Sequence, residues 1–208
     1  MLSVGLTGGI ASGKSSVMRL LQEHGAITFS ADEAARAILA PNGSVLTQIR
    51  QAFGENVLHP DGTLNRSQLA SIVFSDPEAR QTLNQITHPP ILRLLSAQIE
   101  SVHYELTPQS IVVTEMPLLY EDHLEHWFDR VVVVTSNEAK CLSRLQERNK
   151  LTPEQAKQRL QAQLPLQEKT ARADIVIENN SDYPALVQAT QRLWYTLQGL
   201  LAQKSFEI

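Results

Sequence analysis

Near its amino end the sequence reads Gly8-Gly9-Ile10-Ala11-Ser12-Gly13-Lys14-Ser15. This stretch matches in full the pattern Gly-x-x-x-x-Gly-Lys-Ser/Thr, in which consecutive backbone amides surround the phosphates of a nucleotide. An apolar run at residues 2–7 comes before it, and a run with helical periodicity at residues 17–24 comes after it and ends at Gly25. A strand, a glycine-rich loop and a helix in this order predict a phosphate loop that binds a nucleoside triphosphate.

The residue types in this loop suit that chemistry. Glycines adopt backbone conformations that other residues avoid, and they let the amides approach the phosphates closely. Lys14 is expected to neutralise the β- and γ-phosphates, and the Ser15 hydroxyl to ligate a Mg²⁺ ion that bridges them. We therefore predict contacts with the triphosphate from Gly8, Gly9, Ile10, Ala11, Ser12, Gly13, Lys14, Ser15 and Ser16.

Further along the chain, short apolar segments alternate with helical ones. Several of the apolar segments are apolar at successive positions, as in strands that are covered on both faces. Further strands are predicted at residues 110–115, 130–135 and 174–178, with a weaker one at 26–30. Periodicity and capping signals predict helices at residues 91–105, from Ser136-Asn137-Glu138 to about Arg148, from Thr152-Pro153 onward, and at 183–201. The alternation predicts an α/β fold with a five-stranded parallel sheet.

Two intervals between the strands are too long for a single crossover helix. Roughly 80 residues follow Ser30 before the next strong strand, and roughly 40 follow Thr135; both intervals are mostly helical in pattern. Ligands bind at the carboxyl ends of the strands in open α/β sheets, so we expect two helical insertions there. The predicted unit has its core at about 1–30, 108–138 and 173–208, an acceptor-binding insertion at about 31–107 and a lid at about 139–172.

Composition and charge argue against several classes of protein. The chain has 208 residues, is 42% hydrophobic and carries a formal net charge of −4, which favours a globular protein over a nucleic-acid or membrane-surface binder. Its longest strongly apolar runs are far shorter than the ~20 residues of a membrane span, and the amino end has no signal-peptide pattern. The lone Cys141, expected to be buried or inert, fits a reducing compartment. We therefore predict a cytoplasmic protein with no nucleic-acid or membrane partner.

The second insertion is basic. Between Lys140 and Arg172 there are eight lysines and arginines but only three glutamates. A basic helical segment on an acidic protein suits a lid that closes over phosphates. The alternative is that these charges lie on solvated helix faces.

Two acidic residues near predicted strand ends are candidates for the active site. Glu115 ends an apolar strand and is expected near the metal ion. Asp32 follows the weak strand at 26–30, where a carboxylate can accept the proton of an attacking hydroxyl. Asp also favours the N-cap position of a helix, so a purely structural role for Asp32 remains open.

Several stretches follow, in order, the patterns of one known family. They are Gly5-Leu6-Thr7-Gly8-Gly9-Ile10-Ala11-Ser12-Gly13-Lys14-Ser15, Ala31-Asp32 with Ala35-Arg36, Asp61-Gly62-Thr63-Leu64-Asn65-Arg66, His88-Pro89, Pro117-Leu118-Leu119-Tyr120-Glu121, Arg148 with Gln163, and Ala173-Asp174-Ile175-Val176-Ile177-Glu178-Asn179-Asn180. Through these motifs the sequence resembles the dephospho-CoA kinase family from residue 2 to about 200. One position departs from the family's Asp-Ala-Asp pattern, because its first Asp is Ser30 here.

The resemblance implies a three-layer fold of the P-loop NTPase and nucleoside-monophosphate-kinase type. It also implies transfer of the ATP γ-phosphoryl group to the ribose 3′-hydroxyl of dephospho-CoA, the final step of coenzyme A synthesis. ATP and dephospho-CoA are then the small-molecule partners, Mg²⁺ is the cofactor, and the protein is expected to be a monomer or a weak homo-oligomer.

The resemblance also assigns roles to individual residues. The implied catalytic residues are Lys14, Asp32 as the base, and Arg148. The implied acceptor-binding residues are Thr7, Asp32, Arg66, His88, Pro117, Leu118, Leu119 and Arg159. Beyond the phosphate loop, the implied ATP contacts are Arg144, Asn179 and Asn180, and the implied metal ligands are Ser15 and Glu115.

Two other functions fit part of the pattern. A nucleoside monophosphate kinase or a shikimate-type kinase would share the architecture but phosphorylate another acceptor. A nucleotide-dependent switch that hydrolyses GTP would carry the guanine signature Asn-Lys-x-Asp. The stretch Asn149-Lys150-Leu151-Thr152 lacks its final acid, so it gives GTP no support.

Overall fold

A five-stranded parallel sheet carries the fold, which confirms the α/β prediction. The computed structural model describes residues 1–41, 43–101, 107 and 109–206. In chain order the strands are β1 (Leu2–Gly8), β2 (Ile27–Ser30), β3 (Ile111–Glu115), β4 (Arg130–Thr135) and β5 (Ile175–Glu178). Across the sheet their order is β2-β3-β1-β4-β5, so the strand that leads into the phosphate loop is central.

The position of each strand in the sheet explains how apolar its sequence is. Strands β3 and β4 are buried at all but one position each, as their continuous apolar runs predicted. The two edge strands are less buried: β2 is half-buried throughout, and β5 exposes Val176. The weak strand signal at residues 26–30 therefore reflects an edge strand.

The described part of the chain contains nine helices. They are α1 (Lys14–Glu23), α2 (Ala31–Ile38), α3 (Ser44–Phe53), α4 (Arg66–Ser75), α5 (Pro77–Ser101), α6 (Glu138–Asn149), α7 (Pro153–Gln161), α8 (Leu166–Ala171) and α9 (Tyr183–Phe206). The predicted caps are confirmed, since Asn137 caps α6 and Thr152 caps α7, whose first residue is Pro153. None of the helices described is both long and apolar enough to cross a membrane.

One predicted helix boundary is wrong. The helix expected at residues 91–105 already begins at Pro77, and α5 runs through Pro89 and Pro90. Proline removes a backbone donor and clashes with the preceding turn, so Pro89 and Pro90 oppose a continuous helix at this point. Helix α5 packs against α2, α3 and α4, and this packing overrides the local preference. Residues 102–105 of the predicted helix lie outside the described residues.

The chain divides into two compact units, Met1–Phe29 with Tyr104–Ile208, and Ser30–His103. In the first unit, here the nucleotide unit, α1 and α9 pack on the sheet around a core that includes Leu6, Leu21 and Leu197. The second, here the helical unit, has its own core around Val45, Ile49, Val57 and Leu69.

Helix α9 is also fixed to the start of the sheet by charge. Asp129, just before β4, accepts a hydrogen bond from the Ser3 amide at 2.8 Å, and its Oδ2 lies 2.6 Å from Lys204 Nζ on α9. Burial acts to raise the pKa of Asp129, but the Lys204 and Ser3 donors outweigh it and hold that pKa below its usual value. The carboxylate is therefore ionised over the neutral pH range.

Candidate active site

The phosphate loop connects β1 to α1, and two of its glycines are required by the geometry. Gly8 has φ 147°, and a Cβ at this position would lie 2.1 Å from the Val134 carbonyl oxygen on β4. Gly13 has φ 104°, and a Cβ there would lie 2.2 Å from Asn179 Nδ2. Both the positive φ and the close approach exclude larger residues. These are the two glycines that the motif specifies.

Backbone donors at the start of α1 face the anion site that the motif predicts. Among the described residues, the amides of Ala11, Gly13 and Ser15 donate to no other part of the chain. They lie at the amino end of a ten-residue helix, where the helix dipole favours negative charge. The loop therefore offers several donors to a phosphate group.

Lys14 lies inside the loop. Its side chain is largely buried, and Nζ donates to the Gly9 carbonyl at 2.9 Å and to the Gly8 carbonyl at 3.2 Å. An ammonium group at this point adds a positive charge to the amide donors, in a place with little water to screen it. The predicted role of Lys14 fits this position.

Two asparagines after β5 form hydrogen bonds with the phosphate loop and with the start of α6. Asn179 is buried, and its Nδ2 donates to the Ser12 carbonyl at 2.8 Å, so it fixes the loop directly. Asn180 is exposed; its Oδ1 accepts from the Asn137 amide at 2.7 Å, and its carbonyl accepts from Lys140 Nζ at 2.6 Å. Their predicted contacts with ATP stay predictions, but the structure shows that Asn179 also supports the loop.

Two residues of the basic segment reach the same loop. Arg144 on α6 donates to the Ala11 carbonyl at 3.1 Å. Gln163, between α7 and α8, accepts a hydrogen bond from the Ile10 amide at 2.8 Å. A cavity of about 470 Å³ lies beside Gln163, between Gly9–Ile10, the start of α6 and the segment 160–167. The sequence placed Gln163 in a family motif but gave it no site role; its partner is 153 positions away, so only the fold reveals the contact.

The other predicted arginines occupy more open positions. Arg148 is exposed in the last turn of α6, where its Nε donates to Asn149 Oδ1 at 3.1 Å. Arg159 is half-buried on α7. The resemblance assigns both to phosphate or substrate contacts, and those roles stay predictions. The stretch that resembled a guanine signature is the connection from α6 to α7, in which Thr152 is the N-cap.

Ser15 and Glu115 have the chemistry of a magnesium site. Ser15 is exposed in the first turn of α1, and Glu115 is the last residue of β3, paired in register with Leu6 of β1. A hydroxyl and a carboxylate are hard oxygen donors of the kind that Mg²⁺ prefers, and Mg²⁺ typically takes only one or two protein ligands. No cluster of three His, Cys, Asp or Glu that could hold a metal ion occurs among the described residues.

The segment after β3 lies close to the strand that leads into the loop. Thr7, fully buried, donates its hydroxyl to the Pro117 carbonyl at 3.2 Å. Leu119 is buried, and a Cβ on Gly5 would lie 2.6 Å from it, so β1 and this segment are in tight contact. Leu118 is exposed instead. This exposed apolar side chain suits the predicted acceptor contact of Leu118, which stays a prediction.

In the helical unit, Asp32 is not the cap of its helix. Helix α2 begins after Ser30, whose hydroxyl accepts from the Glu33 amide at 3.4 Å. Asp32 lies in the first turn of α2 with an exposed side chain. The alternative interpretation of Asp32 as an N-cap is therefore wrong, and its carboxylate is available for chemistry. Ser30 itself supplies the cap, a role that Asp performs equally well at this position.

The other predicted acceptor residues of this unit lie on two further helices. Arg66 is the first residue of α4, exposed, with Asn65 as the cap that accepts from the Gln68 amide at 3.1 Å. His88 is half-buried in α5. Their predicted acceptor contacts stay predictions.

Sequence reasoning missed one buried ionic pair. Lys169 on α8 is completely buried and contacts Glu121, which the sequence placed in a family motif without a role. A lysine in a basic, polar helix gave no signal of burial. Cys141, by contrast, is buried as expected, and burial raises the pKa of its thiol, which disfavours the reactive thiolate form.

The chain is similar to known proteins in both sequence and structure. Residues 2–185 match the family model of dephospho-CoA kinase. A dephospho-CoA kinase from Shouchella clausii is 45% identical over 179 residues, covering 86% of this chain and 90% of that protein. Among solved structures, TT1252 from Thermus thermophilus has a TM-score of 0.81 at 29% identity, covering 94% of this chain and 96% of that one. Dephospho-CoA kinase from Campylobacter jejuni has a TM-score of 0.68 at 29% identity, covering 95% and 97%.

Proposed function

Because the chain belongs to the dephospho-CoA kinase family, we propose that it transfers the γ-phosphoryl group of ATP to the ribose 3′-hydroxyl of dephospho-CoA. The products are coenzyme A and ADP. The observation that carries this proposal is the phosphate loop at residues 8–15, with Lys14 inside it and amide donors at the start of α1. We also propose that this enzyme is cytoplasmic and is a monomer or a weak homo-oligomer. Its single cysteine, Cys141, is buried.

The nucleotide unit supplies most of the charge stabilisation in this reaction. Phosphoryl transfer needs positioning and stabilisation of charge more than covalent chemistry from the protein. When ATP binds, the loop amides and Lys14 take its β- and γ-phosphates. The carbonyl contacts of Lys14 are then replaced by phosphate oxygens, which are stronger partners for an ammonium group.

A magnesium ion would be held by Ser15 and Glu115. When bound, it would supply positive charge that stabilises the phosphate groups during transfer. The chain's own part is to present the Ser15 hydroxyl from α1 and the Glu115 carboxylate from the end of β3, directly or through water.

Asp32 is proposed as the base for the 3′-hydroxyl. Its exposed carboxylate is not used to cap α2, so it can accept the proton that the hydroxyl loses. Arg66, His88 and the segment 117–119 are proposed to bind the acceptor. These assignments rest on the family resemblance, and for Asp32, Arg66 and Leu118 also on an exposed position.

The basic segment at residues 139–172 is proposed to act as the lid. Arg144, Arg148 and Arg159 would contact phosphates, and closure would keep water from attacking ATP. Arg144 already donates a hydrogen bond to the Ala11 carbonyl of the loop, which supports its assignment to ATP binding.

An acceptor panel tests the proposed function. Purified protein, ATP and Mg²⁺ are assayed for ADP release with dephospho-CoA, shikimate, adenosine and nucleoside monophosphates, and the product of dephospho-CoA is checked by mass and by the position of its new phosphate. We expect turnover with dephospho-CoA alone. Turnover of shikimate or a nucleoside monophosphate without any of dephospho-CoA would reject this function in favour of another small-molecule kinase.

A further inference from the structure

Lys169 is a buried charge that the proposed phosphate chemistry does not use. Its side chain is 0% exposed, whereas lysine is rarely buried without a charged partner. Nζ lies 2.7 Å from Glu121 Oε1 and donates to the Pro117 carbonyl at 3.2 Å. Because a buried ammonium is tolerated only where such partners replace water, these contacts fix α8 against the segment 117–121.

Glu121 joins the same two segments from the other side. The oxygen that pairs with Lys169 also accepts the Leu164 amide hydrogen at 3.0 Å. Its second oxygen is buried and has no hydrogen-bond partner among the described residues. The carboxylate therefore depends on Lys169 and on the Leu164 amide to offset the loss of water.

Two neighbouring contacts extend this network to the phosphate loop. Thr7, which directly precedes Gly8, donates to the same Pro117 carbonyl as Lys169. Gln163, next to Leu164, accepts the amide hydrogen of Ile10 within the loop. The loop, the segment 117–121 and the segment 163–169, here called the lid base, thus meet through five polar contacts.

A purely stabilising role explains this arrangement less well. Buried ion pairs seldom add net stability over apolar residues of similar size, and their best-attested use is to select one arrangement of the chain. Here the selected arrangement involves the phosphate loop and the segment 117–121, which carry proposed site residues, and part of the proposed lid. A second contact joins the same regions, since Arg172, just after α8, lies over the ring of Tyr120 at 4.4 Å.

We propose that Lys169 and Glu121 are positioning residues that hold the segment 117–121 and the lid base in register with the phosphate loop. The proposal rests on the proposed function, because its effect is measured as phosphoryl transfer to dephospho-CoA. Neither residue touches the reacting atoms. Loss of the pair should misplace the acceptor and the lid, and misplacement of about 1 Å is enough to cost about a hundredfold in rate.

The central test uses a pair of variants. Lys169→Met alone leaves the half-buried Glu121 carboxylate without its charged partner, so this variant loses both activity and stability. Lys169→Met combined with Glu121→Gln removes both charges, while the new amide oxygen still accepts from Leu164. For this double variant we expect thermal unfolding close to that of the wild type, unchanged ATP binding, and kcat/KM for dephospho-CoA reduced by roughly ten- to a hundredfold.

Lys204→Met is the matched control. It breaks a second lysine–carboxylate pair of the same unit, with Asp129, which is linked to Ser3 at the start of β1 and not to the loop. It should lower the unfolding temperature without changing kcat or KM. Amide hydrogen exchange should accelerate in residues 163–169 of the double variant but not in those residues of Lys204→Met.

Four results separate the possible failures. Wild-type kinetic constants in the double variant, or equal kinetic losses in Lys204→Met, would overturn the positioning role. Unchanged hydrogen exchange at residues 163–169 in the double variant would also overturn it. A wild-type protein that fails to phosphorylate dephospho-CoA would instead contradict the proposed function itself.

Discussion

The nucleotide unit and the helical unit hold their proposed site residues in different ways. In the nucleotide unit, the phosphate loop is fixed by side chains far away in the sequence: Asn179 bonds Ser12, and Arg144 bonds Ala11. In the helical unit, the proposed base Asp32 is exposed, and its helix is fixed by a local cap at Ser30.

This difference predicts how each unit responds to substitution. Where site residues also support the structure, a change should affect stability and ATP binding together. Where a site residue is exposed on a locally capped helix, its chemistry should be removable without a loss of stability. Substitutions in the two units can therefore test the contrast, from large effects to small ones.

Lys14→Ala should have the largest effect. Removal of one preorganised donor costs about 10²–10³-fold in kcat, and ATP binding is weakened as well, so kcat/KM for ATP should fall by at least about 10³-fold. The ADP-release assay measures this loss, and equilibrium binding of ATP divides it between binding and transfer. The matched control Lys157→Ala, at an exposed site of α7, should remain close to wild type. Substantial turnover by Lys14→Ala would mean that the loop is not the catalytic phosphate site.

Asp32→Asn should come next and should separate chemistry from structure. We expect kcat to fall by about 10²-fold or more because the base is lost, with ATP binding and the unfolding temperature unchanged. Glu33→Gln changes the neighbouring acid in the same turn of α2 and should leave kcat intact. If Asp32→Asn kept a near-wild-type kcat, the base would have to be another residue. If it lowered stability instead, the contrast between the two units would not hold.

Asn179→Ala should combine two moderate effects. The Ser12 carbonyl loses a buried donor, which should lower the free energy of unfolding by about 1–3 kcal/mol. The loop also loses an anchor, and a tenfold rise in the KM for ATP would correspond to roughly 1.4 kcal/mol.

Asn180, the exposed neighbour of Asn179, provides a comparison for that variant. Asn180→Ala removes a side chain that bonds only the Asn137 amide in the described structure. It should affect stability less, and a raised KM for ATP in this variant would support its predicted contact with the nucleotide. Equal stability losses in both variants would show that burial is not what distinguishes them.

Sequence patterns were sufficient wherever the cause of a structure is local. The phosphate loop follows from glycine and lysine spacing, the strands from apolar runs, and the caps of α6 and α7 from Asn137 and Thr152. The interpretation failed where tertiary packing overrides a local preference, as in α5, which continues through Pro89 and Pro90. The alternative interpretation of Asp32 as the N-cap of α2 was also wrong. It arose because the side chains of Ser30 and Asp32 both suit an N-cap.

Contacts between residues far apart in the chain could not be predicted from one sequence. Gln163 and Lys169 lie in a polar, basic segment, and nothing nearby in the chain shows that one bonds the phosphate loop and the other is buried against Glu121. Each partner becomes visible only when the sheet brings the segments together. The motif residues of the site were therefore predictable, whereas the long-range contacts that hold them in place were not.

Substitution of Ser30 should have the smallest effect, and it tests whether capping of α2 is the whole role of this residue. Loss of the cap in Ser30→Ala should cost about 1 kcal/mol in urea unfolding, whereas Ser30→Asp should keep the cap and gain from a negative charge at the start of α2. Asn65→Ala, which removes the cap of α4 in the same unit, should cost a similar amount. If Ser30 only caps the helix, kcat should change little in either Ser30 variant. A several-fold rise in kcat for Ser30→Asp would show that a carboxylate at this position contributes to the reaction, and then local capping would not be its whole role.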